Sequence, residues 1–167
     1  MKTLKRHLWV GALALGLLFI GLGTLFVVTG FDAKDMIRTA LAEENVTTGA
    51  DAVEFGVPAG VLVTDAKTAE AQAEVIKMHS FDRYGRYTEM DRDDPNRAAY
   101  LKGLTLRNSL NMAVMGFGLA DLAIGIGAVI VLMGAGTLAF VAPLLYLTIA
   151  KEEEEPAVKA GAPALAV

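Results

Sequence analysis

Asp121 is the one charge in a run of about 41 residues, Leu110–Ala150. A carboxyl group at membrane depth costs at least about 2.5–3.5 kcal/mol on insertion scales, so it asks for a reason. Two kinds of chemistry fit an isolated acid there. It could cycle a proton or hold a cation, which is transport. It could instead stay protonated and hydrogen-bond across a helix interface, which is assembly. The neighbours favour assembly. Val114, Gly118, Asp121, Gly125 and Ala128 recur at three and four residues and share one helical face. Small residues on both sides of the acid let another helix come close. A proton path needs further polar groups at depth, and only Asn111 and Thr137 stand near.

A second seam of small residues runs through Gly116, Ala120, Ala123 and Gly127. Near the N-terminus, Gly16, Gly23 and Gly30 stand seven apart, with Ala12 four before Gly16. Both patterns are signatures of helix packing in membranes. The candidate interface is therefore Gly16, Gly23, Gly116, Gly118, Ala120, Asp121, Gly125 and Gly127. One sequence does not say whether these seams join the chain's own helices or other subunits.

Other chemistry finds little support. The acids Asp91, Asp93 and Asp94 suggest calcium, but Pro95 sits at the fifth position of an EF-hand loop and no glycine follows at the sixth. Asp94 is better read as the cap of a helix. His79 has no second histidine within a helical turn, and His7 lies in the basic N-terminus. No phosphate loop, serine nucleophile motif or metalloprotease motif occurs. No catalytic, metal or cofactor residue is assigned, and no cofactor is expected. Without a cysteine, disulfides and thiolate metal sites are excluded.

The elements that must position these residues begin with two apolar runs. Leu8–Thr29 carries no charge over about 22 residues, and a spanning helix needs about 20. Lys2, Lys5 and Arg6 precede it, so it reads as an uncleaved signal anchor with a cytoplasmic N-terminus. The second run would reach about 60 Å as one helix, twice the hydrocarbon core. It reads best as a hairpin of two spans turning near Gly134-Ala135-Gly136-Thr137; the alternative is one long tilted helix with a re-entrant end. Three spans would put the acidic tail, 151–167, outside, and two would put it inside. Its composition is that of a disordered segment.

Between the runs, residues 31–107 hold 10 Lys/Arg against 14 Asp/Glu. No basic stripe exists to meet nucleic acid. Helices are expected over Asp32–Asn45 and from a cap at Thr64 or Asp65 to about Ser80. A third starts at Asp94-Pro95 and runs into the second apolar run. Val53–Val63 and Phe81–Asp94 read as loop and turn. The segment has few large apolar residues, so it needs the membrane surface or a partner to complete a core.

Three stretches carry a family resemblance: MIRTALAEENV, TDAKTAEAQAEVIKMHSFDRYGRYTEMDRDDPNRAAYLKGLTLRNSL and MAVMGFGLADLAIGIG. Over about residues 36–127 the chain resembles small integral membrane proteins of unknown function from high-GC Gram-positive bacteria. Some sequences of that kind bear the name of aromatic ring-opening dioxygenases. A non-haem iron site needs two histidines and a carboxylate around one metal, which His7 and His79 do not supply. The resemblance thus implies a bacterial plasma membrane and brings no activity with it.

The expected fold is an all-α membrane protein. It has an N-terminal signal-anchor helix (1–30), a small helical extracytoplasmic domain (31–107), a C-terminal transmembrane hairpin (108–150) and the tail. The expected function is a non-catalytic accessory subunit that binds and stabilises a larger membrane complex. A homo-oligomeric proton or cation conductor using Asp121 is the alternative, and an enzyme is disfavoured. The expected contacts are membrane lipid and either that complex or further copies of the chain.

Overall fold

The computed structural model describes residues 7–160, with side chains described as far as Lys151. Its regular elements are all helical: α1 (Leu8–Glu43), α2 (Ala66–Tyr84), α3 (Arg97–Gly136) and α4 (Ala142–Ala160). Short 3-10 turns occupy Ala50–Phe55 and Tyr87–Glu89, and a π-helical segment, Thr137–Val141, joins α3 to α4. Among the described residues no strand forms; Thr47 and Leu62 make one isolated antiparallel bridge.

Two helices are long and apolar enough to cross a membrane: Leu8–Glu43 and the continuous stretch Arg97–Lys151. In each, only 11% of the most apolar window is buried. The core helix of a water-soluble domain would hide most of that surface.

The helices have local causes. α1 does not stop where its apolar run stops. Asp32–Glu43 is rich in good helix formers, and Arg38 donates to Asp35 at 2.9 Å one turn earlier. The first expected helix of the middle segment is thus the second half of α1. The helix ends at Glu43, and just beyond it Asn45 takes a left-handed backbone (φ 49°) that asparagine tolerates better than most residues. α2 begins at an Asp65 cap whose carboxylate accepts the Thr68 N–H at 2.8 Å, and the Thr68 side chain answers the Asp65 N–H. It runs on to Tyr84, past the expected end near Ser80. Before α3, the Asp94 carboxylate accepts the Asn96 N–H at 2.7 Å.

The turn expected near Gly134-Ala135-Gly136-Thr137 is not there: helix continues through it. Two features account for this. Gly134 serves close packing, since a methyl group on it would lie 2.7 Å from the Gly16 carbonyl oxygen. Pro143 is accommodated by a local change of helix type rather than by a break. The Ala142 N–H donates to the Thr137 carbonyl, a five-residue π bond just before the proline withdraws a donor.

The chain divides into two compact units, Met1–Val27 with Gly125–Val167, and Val28–Ile124. In the first, the start of α1 packs antiparallel to the end of α3 and the start of α4. Trp9 meets Tyr146 edge-to-face, centroids 5.6 Å apart.

The second unit has two small cores. Ala52 and Val57 pack with Ala71 and Val75, and Val63, Ala69, Ala73 and Leu110 form the other. Leu41, Val46, Ile76 and Val114 close around the latter. The boundary expected at residue 107 therefore cuts through a core: Leu110 and Val114 come from what reads, in sequence, as membrane span. Buried Thr48 ties the loop before α2. Its hydroxyl donates to the Pro58 carbonyl at 2.7 Å and accepts the Val61 N–H at 2.9 Å.

Candidate helix-packing interface

The interface starts from glycines whose missing side chains let two backbones touch. A methyl group on Gly23 would lie 2.6 Å from the Gly127 carbonyl oxygen, and one on Gly127 would lie 2.6 Å from the Gly23 oxygen. The relation is mutual, as in antiparallel helices in contact backbone to backbone. Gly16 repeats it against Gly134, and a methyl group on Gly16 would also lie 2.6 Å from the Leu138 side chain. Such approach replaces side-chain burial with van der Waals contact and Cα–H···O contacts, the terms left when lipid removes the hydrophobic drive between helices.

In the second unit, a methyl group on Gly30 would lie 2.9 Å from the Ala120 carbonyl oxygen and 2.6 Å from the Ile124 side chain. Gly116 receives the Ile37 side chain at 2.7 Å from where its own methyl would be. Ala120 is buried.

Asp121 turns toward α1. Its carboxylate accepts from the Lys34 ammonium at 2.7 Å, with the acid side chain 62% exposed and the lysine 27%. This is a charge-assisted contact between two helices at the edge of their seam. The sequence reading had a protonated Asp121 hydrogen-bonding across a helix interface; the structure gives it a lysine donor from α1. Gly118 and Gly125, read as the close-approach flanks of that acid, have no neighbour within 4 Å of an added methyl group. They belong to a different, outward face.

Lys34 and Gly134 are the members that the reading of the candidate interface missed, and Gly30 belongs to it with the seam in which it was read. The signal was present. Gly16, Gly23 and Gly30 form one seven-residue series, and Gly134, Gly127 and Ala120 form another that runs the opposite way. Aligning the two series antiparallel sets Lys34, four past Gly30, level with Gly116, five residues from Asp121, a gap of about 7.5 Å that its long side chain spans back along the seam.

The Asp51 carboxylate accepts a hydrogen bond from His79 Nε2 at 2.6 Å, which ties the Ala50–Phe55 turn to α2. Among the described residues no three His, Asp or Glu side chains gather as a metal site would require. Arg97 packs over Tyr87, 4.2 Å from the ring centroid, and donates to the Met90 and Asp91 carbonyls. Both fasten loops rather than open a cleft.

Comparison with known proteins gives no matching family model, no matching curated protein and no matching solved structure. The functional reading rests on the residues themselves.

Proposed function

We propose that the chain is a two-span membrane protein of the bacterial plasma membrane and acts as a non-catalytic accessory subunit of a larger membrane complex. Two spans follow from helix lengths. Trp9 and Lys34 are 25 residues apart on α1, and Asp121 and Tyr146 are 25 apart on the return. At 1.5 Å per residue each interval is about 37 Å, between the hydrocarbon thickness and that of the whole bilayer. Aromatic residues favour one interface, and a charged pair can lie at the other. The cytoplasmic N-terminus rests on Lys2, Lys5 and Arg6, and two spans return the tail to the same side.

The observation that carries the accessory role lies on α3. Met112, Met115 and Leu119 are exposed to 72%, 68% and 64%. The contacts of Gly116 with Ile37 and of Asp121 with Lys34 put them level with the part of α1 that exposes Asp32, Asp35 and Arg38. Those charges need headgroups or water, so hydrocarbon does not reach that level on either helix. A row of bare methionine and leucine there calls for protein cover. The conductor alternative is weakened because the Lys34 ammonium occupies Asp121.

Mild detergent extraction followed by native-gel migration tests the reading. Migration with other proteins at fixed ratio is expected; a lone monomer, or a self-assembled ring whose ion flux in proteoliposomes is lost in Asp121→Asn, overturns it. Protease added to sealed spheroplasts should cut within 44–96 and spare the tail. Cleavage of the tail would restore the three-span topology.

A further inference from the structure

One cavity in the second unit is a slot that a helix has vacated. α1 runs along α3 until Leu41 meets the core around Leu110, and it ends at Glu43. α3 continues to Arg97, about 20 Å farther. The face of α3 that α1 would have covered is left open as a groove of about 600 Å³. Leu41 and Val46 form one wall, and Leu101, Leu106 and Leu110 the floor. Ala98, Thr105 and Ser109 leave that floor shallow, as close approach of a second helix requires.

The polar groups of the groove narrow its occupant. The Thr105 and Ser109 hydroxyls donate to the Leu101 and Thr105 carbonyls of their own helix, so they do not reach into the space. A pocket for a small polar molecule keeps such groups convergent and free. What remains is an apolar floor with one acid, Glu44, and one base, Lys102, at its edge. Neither has an ion-pair partner among the described residues. Lipid is a poor fit by distance. Ser109 and Ala98 lie 12 and 23 residues before Asp121, about 18 and 35 Å along α3 from the level assigned to the membrane edge.

We propose that this groove receives an amphipathic helix of the partner complex. That helix lies outside the bilayer, buries an apolar face on Leu101 and Leu106, and offers a base to Glu44 and an acid to Lys102. Three turns would fill the length from Ala98 to Ser109. The proposal rests on the accessory-subunit reading and adds the place and chemistry of the contact.

The test uses the full chain in its native membrane. A photo-crosslinking amino acid is placed at Ala98, at Thr105 and, for the bare α3 face, at Met115. Adducts from Ala98 and Thr105 should map by mass spectrometry to one partner segment, with apolar residues at helical spacing and both charge signs on its flanks. Lys102→Glu should lower the Thr105 adduct several-fold, and reversing the matching acid of the identified segment should restore it. Protein adducts from Met115 but none from the groove would overturn the groove while leaving the accessory role standing. Adducts of Thr105 with lipid alone, or with a segment lacking that charge pattern, would also overturn it. No protein adduct from any of the three positions would overturn both.

Discussion

The two units hold together by opposite means. In Met1–Val27 with Gly125–Val167, the contact is made where side chains are absent: Gly23 on Gly127, Gly16 on Gly134. In Val28–Ile124, besides the close approach at Gly30 and Gly116, it is made where side chains are buried: Val63, Val75 and Leu110 are almost wholly hidden, and the Asp65 cap and the Thr48 clasp satisfy the polar backbone. Each solution would suit its solvent in the proposed topology. Between helices in lipid, apolar side chains gain nothing by leaving one apolar medium for another, so close backbone contact is what remains. In water, each buried apolar side chain contributes about 1.5–3 kcal/mol, so even a small core is worth building. The difference predicts that the first unit is damaged by adding atoms and the second by removing them.

The largest effect is expected from adding atoms at the seam. Gly127→Leu would put a side chain into the Gly23 carbonyl and Val27. Overpacking commonly costs about 1–3 kcal/mol when neighbours can move; here the obstacle is backbone, so loss of the helix pair is expected. Unfolding of the purified protein in detergent, followed by Trp9 fluorescence against Tyr146, reads it. A wild-type unfolding curve would mean that the two helices are not held by this seam.

Removing atoms from the second unit comes next. Leu110→Ala should cost about 2–5 kcal/mol, because Leu110 is the largest side chain of its core. By the same logic, residues 32–107 expressed alone should be helical but melt without cooperativity, since Leu110 and Val114 are missing. The same fragment extended to 124 in detergent should melt more sharply. A sharp two-state melt of the shorter fragment would remove Leu110 from the core it has been given.

The Lys34–Asp121 contact should matter less. Both charges keep access to solvent, and exposed ion pairs contribute about 0.2–1 kcal/mol. A double-mutant cycle of Lys34→Met and Asp121→Asn should give a coupling within that range that shrinks as salt rises. A coupling of several kcal/mol, insensitive to salt, would mean that lipid or protein seals the pair.

The sequence made the two apolar helices legible because charge-free runs of that length have few other uses. The cap at Asp65 was legible because a carboxylate just before a helix has a local job; the start read at Asp94-Pro95 falls short, since Pro95 and Asn96 stay in a turn and α3 begins at Arg97. The hairpin turn was misread because a glycine pair looks the same whether it loosens a helix or admits a neighbour; only the Gly16–Gly134 contact tells them apart. The length of the second run misled for a related reason. Leucine at 110 and valine at 114 carry no mark that says whether lipid or a small soluble core hides them. Asp121 stood out, while Lys34, its partner, looked like one more charge in a charged stretch. Identifying it takes the antiparallel register.

The smallest expected effect on the fold is the sharpest test of the comparison. Gly125 lies between the inward glycines of α3 in sequence, two before Gly127, yet nothing stands within 4 Å of an added methyl group. If the seam alone demands glycine, Gly125→Ala should leave unfolding in detergent unchanged to within about 0.5 kcal/mol, as exposed substitutions do. Gly127→Ala, two residues on, should already destabilise, since its methyl would meet the Gly23 oxygen. In the membrane the outward position can still matter. Gly118 and Gly125 lie on the outward face of α3, and a helix docking there would use their flatness as α1 uses Gly127. Gly125→Leu should then keep the monomer's stability and reduce migration with the partner complex proposed above. Equal stability and equal migration in Gly125→Leu would leave that face to lipid and confine the partner contact to the Met112–Leu119 surface and the groove above it.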